Sequence, residues 1–220
     1  MSERAAHSSR TRRRFTPLAL ITGAVGVILL SLSVTGSLSG FTASITNNTN
    51  TAASGSLVMQ EQATVDTVTT TCLSTDNGSV STNSATCSTI NKFGGSKVMV
   101  PGGPAVVTAI TIKNLGTTDA KTFTLTPGAT CTQSTNGSLN GTATDLCTKI
   151  NVVITSGATT VFTGTAASLA GALPAALTMP AAPAAGATIP FTISVTLNAN
   201  SGNSYQGLAA SLPLTWTFAN

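Results

Sequence analysis

Cys72, Cys87, Cys131 and Cys147 are the residues whose type and spacing point most directly to chemistry. They form two pairs, and each pair brackets about 15 residues rich in Ser, Thr, Asn and Gly. Four cysteines allow three pairings, but two similar bracketed segments favour Cys72 with Cys87 and Cys131 with Cys147. The alternative, a zinc site, is poorly supported, because the chain has no CxxC pair and no histidine that could complete a tetrahedral set. We therefore predict two disulfides, each contributing about 3 kcal/mol in the chain-entropy model.

The other titratable residues do not suggest a catalytic site. Residues 41–220 contain no histidine, the usual general base, so triads that depend on histidine are absent. Glu61 and Asp66 lie five positions apart, which in an extended strand places them on opposite faces. We interpret these acids as solvated surface charges. The sequence thus predicts a protein that is not an enzyme and that has no cofactor and no metal site.

The positive charge of the chain is confined to its beginning. The formal net charge is +4, but all the arginines and the only histidine, His7, precede residue 15. From residue 41 onward, lysines and acidic residues balance. A basic chain normally suggests nucleic acid or anionic membranes as partners. Because the charge belongs to the leader alone, we expect no nucleic-acid partner.

Residues 1–40 have the organisation of a secretory signal peptide. Arginines at positions 10 and 12–14 precede an apolar stretch over 17–34, and small residues follow at 36–40. We predict cleavage by signal peptidase near Ser39 to Phe41 and a secreted protein. An uncleaved membrane anchor is the alternative, because about 18 apolar residues is the lower limit for crossing a bilayer. The arginine-rich start also resembles part of a twin-arginine signal, so the export route stays open.

Alternation of apolar and hydroxylated residues dominates the rest of the chain. Residues 191–197 and 212–218 alternate strictly, and shorter stretches at 110–112, 122–126 and 150–154 do the same. Turn signals separate these stretches, which predicts an all-β antiparallel β-sandwich of jelly-roll type. At most one short helix is expected, near 166–173, because prolines follow it. We expect residues 55–220 to form a single domain, with Trp216 in its core.

Residues 41–46 form a further alternating stretch at the predicted mature N-terminus. The segment consists of Phe41, Thr42, Ala43, Ser44, Ile45 and Thr46, and a polar tether over 47–54 follows it. The strands elsewhere carry Thr and Ser where soluble sheets usually carry Lys and Glu, so little charge protects their edges. A tethered terminal strand of this kind can pair with its own sheet or with that of another chain.

Several short motifs together resemble the TasA/camelysin family, whose members are exported with SipW-type signal peptides. The first is Leu38-Ser39-Gly40-Phe41-Thr42-Ala43, followed by the tether and by Gly55-Ser56-Leu57-Val58-Met59. Val100-Pro101-Gly102-Gly103 and Thr111-Ile112-Lys113-Asn114-Leu115-Gly116 resemble the family's Pro-Gly turn and the strand after it. Asn203-Ser204-Tyr205-Gln206-Gly207, leading into residues 212–218, resembles its closing strand.

The resemblance implies a jelly-roll subunit of an extracellular biofilm matrix fibre. Residues 41–46 would then be the donor strand, inserted into the next copy of the chain to give a head-to-tail homopolymer. Other matrix or cell-surface components would be further partners. The four cysteines depart from the family pattern, and the family's metallopeptidase label has no chemical support here, because neither HExxH nor a mature histidine is present.

A different class of function stays open at this point. The two Ser/Thr/Asn-rich loops bracketed by the cysteines could serve a monomeric cell-surface adhesin or ligand-binding module. Filaments that form as the protein concentration rises would distinguish the fibre subunit from a stable monomer that binds cells or glycans.

Overall fold

The computed structural model describes residues 44, 45, 47, 49–65, 67–76, 78–95, 98–171 and 176–220. The predicted signal peptide and its cleavage site lie outside these residues. The chain divides into a unit of residues 1–52 and a compact unit of residues 53–220. In the first unit, Asn47 Oδ1 accepts hydrogen bonds from the backbone N and the Oγ1 of Thr49 at 3.1 and 3.0 Å. The strands described next belong to the second unit.

Short antiparallel strands account for most of the regular structure. The strands are β1 Met59–Val65, β2 Val68–Leu73, β3 Val106–Asn114, β4 Thr122–Pro127, β5 Thr132–Thr135, β6 Ile150–Ser156, β7 Thr159–Thr165, β8 Leu177–Thr178, β9 Thr188–Leu197, β10 Leu208–Ser211 and β11 Leu214–Ala219. They form a six-stranded sheet β2-β1-β3-β9-β6-β7, a three-stranded sheet β11-β4-β8 and a two-stranded sheet β10-β5. The predicted all-β antiparallel class is confirmed, and the jelly-roll order stays a prediction.

The alternation seen in the sequence is the alternation of burial along the strands. In β9, Phe191, Ile193 and Val195 are buried, while the hydroxylated residues between them face outward. This is the pattern of a strand with one face on a core. The strand predicted over 212–218 begins only at Leu214. Pro213 precedes it, and proline has no backbone N–H to donate to a sheet.

An aromatic cluster joins the inner faces of the two larger sheets. Phe191 on β9 lies 5.7 Å from Phe123 on β4 and 4.7 Å from Trp216 on β11, measured between ring centroids. The rings of Phe123 and Trp216 are 5.5 Å apart. Because β9 belongs to one sheet and β4 and β11 to the other, these contacts form the interior of a sandwich. The predicted core position of Trp216 is confirmed.

The short helix that the sequence predicts lies between β7 and β8. Helix α1 spans Ala166–Gly171 and buries Ala166, Leu169 and Ala170 against the core. Thr165 opens it: the Ser168 N–H donates to Thr165 Oγ1 at 3.1 Å, and the Thr165 N–H donates to Ser168 Oγ at 2.8 Å. Such a reciprocal pair satisfies backbone donors at the start of a helix.

Candidate functional site

A groove lies between β11 on one side and β1, the end of β2 and the segment 83–93 on the other. We call it the β11 groove. Its volume is about 710 Å³. One wall consists of β11 and the residues before it, 210–213. The opposite wall consists of β1, the end of β2 and the segment 83–93. All of these residues belong to the unit of residues 53–220.

The edge of β11 that borders the groove is open. Among the described residues, β11 pairs with β4 alone and is the outermost strand of its sheet. The carbonyls of Pro213 and Ala219 accept bonds from β4-side residues at 2.7 and 2.9 Å, so the odd-numbered residues direct their backbone groups toward β4. Backbone groups in a strand alternate in direction, so those of Leu214, Trp216 and Phe218 point toward the groove. They present a row of donors and acceptors to which another strand can add.

Three side chains connect the two walls of the groove. Glu61 on β1 accepts a hydrogen bond from Trp216 Nε1 at 2.9 Å through its Oε1. The same carboxylate lies 2.8 Å from Lys92 Nζ in the segment 83–93. The side chains of Lys92 and Glu61 are only 12% and 9% exposed. A carboxylate this far from water is stabilised by its cationic and N–H partners.

Our interpretation of Glu61 as a solvated surface charge was therefore wrong. In β1, Met59, Glu61 and Ala63 face the interior, while Gln60, Gln62 and Thr64 alternate with them on the other face. The inward orientation of Glu61 could have been predicted from the sequence, because the residues two positions before and after it, Met59 and Ala63, are apolar. Asp66 lies outside the described residues, so only Glu61 of this pair is placed.

The segment 83–93 has no helix or strand, yet several contacts hold it beside the groove. Cys87 is bonded to Cys72 at the end of β2. Asn83 donates to the Leu57 carbonyl at 2.7 Å and accepts from Ser74 Oγ at 2.6 Å. The side chain of Ile90 is buried in the core. The cysteine loop at 72–87, which the sequence suggested as a ligand-binding feature, thus forms part of a groove wall.

The second predicted disulfide joins Cys131 and Cys147, so both pairings predicted from the spacing are present. Beside it, the Tyr205 hydroxyl donates to Asp145 Oδ1 at 2.7 Å. This hydrogen bond lowers the pKa of Asp145 and raises the pKa of Tyr205. Lys149 Nζ lies 5.8 Å from the centre of the Tyr205 ring. Asp145 is exposed, Tyr205 and Lys149 are half-buried, and none of the three lines the β11 groove.

The predicted donor strand is described only in part. Ser44 and Ile45 are exposed, and the side chain of Ile45 is 99% accessible to solvent. Phe41, Thr42, Ala43 and Thr46 lie outside the described residues.

Within the described ranges, no three His, Cys, Asp or Glu residues are grouped so that they could hold a metal ion. Among the same residues, no helix has the length and apolar character needed to cross a bilayer.

No protein-family model matches this chain, and no curated protein matches it in sequence. Among the described residues, the β11 groove combines an open strand edge, a mixture of apolar and polar side chains, and the Glu61–Lys92 ion pair.

Lys92 and the groove it lines were missed by the sequence analysis. Lys92 lies in a segment without periodicity, so no pattern placed it near Glu61, 31 positions earlier. The open edge of β11 could not be predicted from the sequence either, because the order of strands in a sheet depends on pairings between distant parts of the chain. The sequence did contain one usable signal: the alternation in β1 directs the Glu61 side chain inward. A buried carboxylate requires a partner, so a nearby cation or N–H donor could have been expected.

Proposed function

We propose that this protein is a secreted structural subunit of an extracellular biofilm matrix fibre. Copies assemble when residues 41–46 of one chain add as a strand to the β11 groove of the next. The observation that carries this proposal is the open backbone edge of β11 along the groove. Strand addition of this kind gains affinity from main-chain hydrogen bonds and specificity from alternate side chains.

Length and alternation match between the two partners. Strand β11 has six residues, Leu214–Ala219, and the segment 41–46 has the same number. In β11, Leu214, Trp216 and Phe218 are the partly or fully buried positions. Phe41, Ala43 and Ile45 are the apolar positions of the segment. A strand that pairs with β11 therefore presents its apolar side chains to the same interior.

The strand edges lack the usual protection against such pairing. The edge strands of the three sheets are β2, β5, β7, β8, β10 and β11. None of these strands contains a Lys, Arg, Asp or Glu residue. Natural sheets generally place charges at their edges to prevent association with other chains. Uncharged edges are expected in a protein whose function requires strand addition.

The direction of the contact favours a filament. A terminal segment inserted into a groove on another copy is a head-to-tail contact, which does not close on itself. Two disulfides also fit an oxidising environment outside the cytoplasm, as expected for an exported subunit. The polar residues 47–54 provide the tether that lets the segment reach a neighbouring molecule.

Filament formation by single-residue variants tests this proposal. The full chain, produced with its own leader in a secretory host, is concentrated and imaged by negative-stain electron microscopy. We expect filaments from the unmodified protein and none from Ile45→Asp, because a charge in the added strand would be buried without a partner. Leu139→Asp is the matched control, since Leu139 is 88% exposed and lies outside the segment.

Leu139→Asp should form filaments like the unmodified protein. Loss of filaments in both variants would point to general damage by an added charge and would contradict the role of residues 41–46. A protein that stays monomeric at every concentration would contradict polymerisation itself and would favour the adhesin alternative.

A further inference from the structure

The segment 83–93 occupies an unusual position for a stretch without regular structure. It forms one wall of the β11 groove, directly across from the open strand edge. It is anchored at its start by Asn83 and near its middle by the Cys72–Cys87 disulfide. Toward its end, Lys92 is held by the Glu61 carboxylate at 2.8 Å. Between the disulfide and Lys92, the side chain of Ile90 is buried in the core. Of these contacts, the ion pair is the one that also reaches β11, because Glu61 accepts from Trp216 Nε1.

The ion pair lies where an added strand would place a side chain. Glu61 Oε1 is 2.9 Å from Trp216 Nε1, and Trp216 is the central inward-facing residue of β11. A strand added to β11 would run about 4.8 Å from it, with its inward side chains pointing into the same space. The apolar side chain opposite Trp216 would meet the Glu61 and Lys92 head groups. Entry of an apolar strand therefore requires these head groups to separate or move.

We infer that the segment 83–93 is a gate on the β11 groove, and that the Glu61–Lys92 ion pair is the latch that holds it closed. This inference rests on the proposed function, because the ligand is the segment 41–46 of a second copy. The occupant is an extended, alternating apolar strand without charge. The latch regulates how readily each subunit accepts the next one.

The anchors of the gate have different physical characters. The disulfide is covalent and Ile90 is buried in the core, so the backbone stays attached while the Lys92 side chain moves away from Glu61. The ion pair is noncovalent, so the Lys92 and Glu61 head groups can separate without breaking a covalent bond. Opening also leaves Glu61 bonded to Trp216 Nε1, so the carboxylate keeps one partner on the groove floor. Loss of the latch should therefore favour strand entry without dismantling the groove.

Peptide binding to latch variants tests the gate. The full chain carrying Ile45→Asp, so that its own segment does not compete, is titrated with a synthetic peptide of residues 41–48. Trp216 is the only tryptophan in the chain and lines the groove, so its fluorescence reports binding. Lys92→Gln removes the latch, and Lys121→Gln is the matched control at an exposed lysine outside the groove. A scrambled peptide of the same composition controls for nonspecific association.

We expect Lys92→Gln to bind the peptide about fivefold more tightly than the parent, a change of about 1 kcal/mol in the free energy of binding. Lys121→Gln should bind like the parent. Amide hydrogen exchange in residues 83–93 should be faster in Lys92→Gln alone, because the gate opens more often. If Lys92→Gln does not fold, Glu61→Gln serves instead, since its amide oxygen still accepts from Trp216 Nε1.

Two outcomes would overturn the inference, and they are distinguishable. Equal or weaker binding to Lys92→Gln, with clear binding to the parent, would refute the gate and leave the strand-addition proposal standing. No specific binding to the parent or to any variant would refute strand addition at this groove, and the gate with it.

Discussion

The buried carboxylate of Glu61 connects three parts of the β11 groove. Its side chain points into the sandwich from β1, where a lone charge would be strongly unfavourable. Lys92 and Trp216 remove that penalty, and in doing so they join β1, the segment 83–93 and β11. Removing one partner of such a group costs more than the bond itself contributes, because the other charge stays buried. The three residues therefore function as one structural unit.

Tyr205 offers a direct test at the residue scale. Its hydroxyl donates to Asp145 Oδ1, which raises the pKa of Tyr205 and lowers the pKa of Asp145. The Asp145 contribution to stability is present above the ordinary carboxyl pKa and is lost as the pH falls through its lowered value. The Tyr205 contribution is present below the ordinary phenol pKa and is lost as the pH rises through its raised value.

The chain contains one tyrosine, so ultraviolet absorbance follows the ionisation of Tyr205 alone. We expect its midpoint to lie above the ordinary value for a phenol and to fall toward that value in Asp145→Asn. Asp119→Asn is the control, because Asp119 bonds to the Ala185 N–H instead. An identical midpoint in the parent and in Asp145→Asn would contradict the hydrogen bond.

The sequence predicted individual residues well where a pattern placed them. Trp216 was assigned to the core from its register with Leu214 and Phe218, and this is confirmed. Glu61 was misplaced, although its position between Met59 and Ala63 carried the information. Lys92 could not be predicted, because its partner lies on a strand that is distant in sequence and its own segment has no period.

At the scale of elements, the positions of the strands in the sequence were easier to predict than the order of the strands in each sheet. Period-two alternation identifies a strand because it reflects one buried face, and the stretches at 191–197 and 150–154 both proved to lie in strands. Which strand lies at an edge depends on the order in which distant segments pair. That order places β11 outermost, and no local signal in residues 214–219 indicates it.

The two disulfides give a prediction at the element scale. Each closes a loop of about 15 residues, so removing either should lower the free energy of unfolding by about 3 kcal/mol. The double variants Cys72→Ser/Cys87→Ser and Cys131→Ser/Cys147→Ser are compared by denaturant unfolding. We expect similar losses of stability in the two variants.

The two variants should differ in the environment of Trp216. Only the Cys72–Cys87 bond lies in the wall of the β11 groove. Its removal should change the native-state fluorescence of Trp216, whereas removal of Cys131–Cys147 should leave it unchanged. A change of equal size in both variants would contradict the assignment of the first disulfide to the groove.

At the scale of the whole molecule, the proposal depends on two features of one chain: the open edge of β11 and the alternating sequence of residues 41–46. The β11 groove provides backbone partners on one subunit, and residues 41–46 provide an alternating segment with an exposed Ile45. In the proposed polymer, each copy contributes the groove to one neighbour and residues 41–46 to the next, so the contact does not close on itself. The mostly neutral surface of residues 41–220 adds little long-range repulsion between copies.

Site-specific crosslinking between copies tests this account most directly. A photoreactive phenylalanine analogue replaces Phe41 in the full chain, and isotopically heavy and light preparations are mixed before assembly and illumination. Mass spectrometry then identifies the crosslinked peptides and shows whether they join two copies. The account predicts heavy–light crosslinks from position 41 to the walls of the β11 groove. Crosslinks confined to one copy, or joining copies at sites away from this groove, would contradict it.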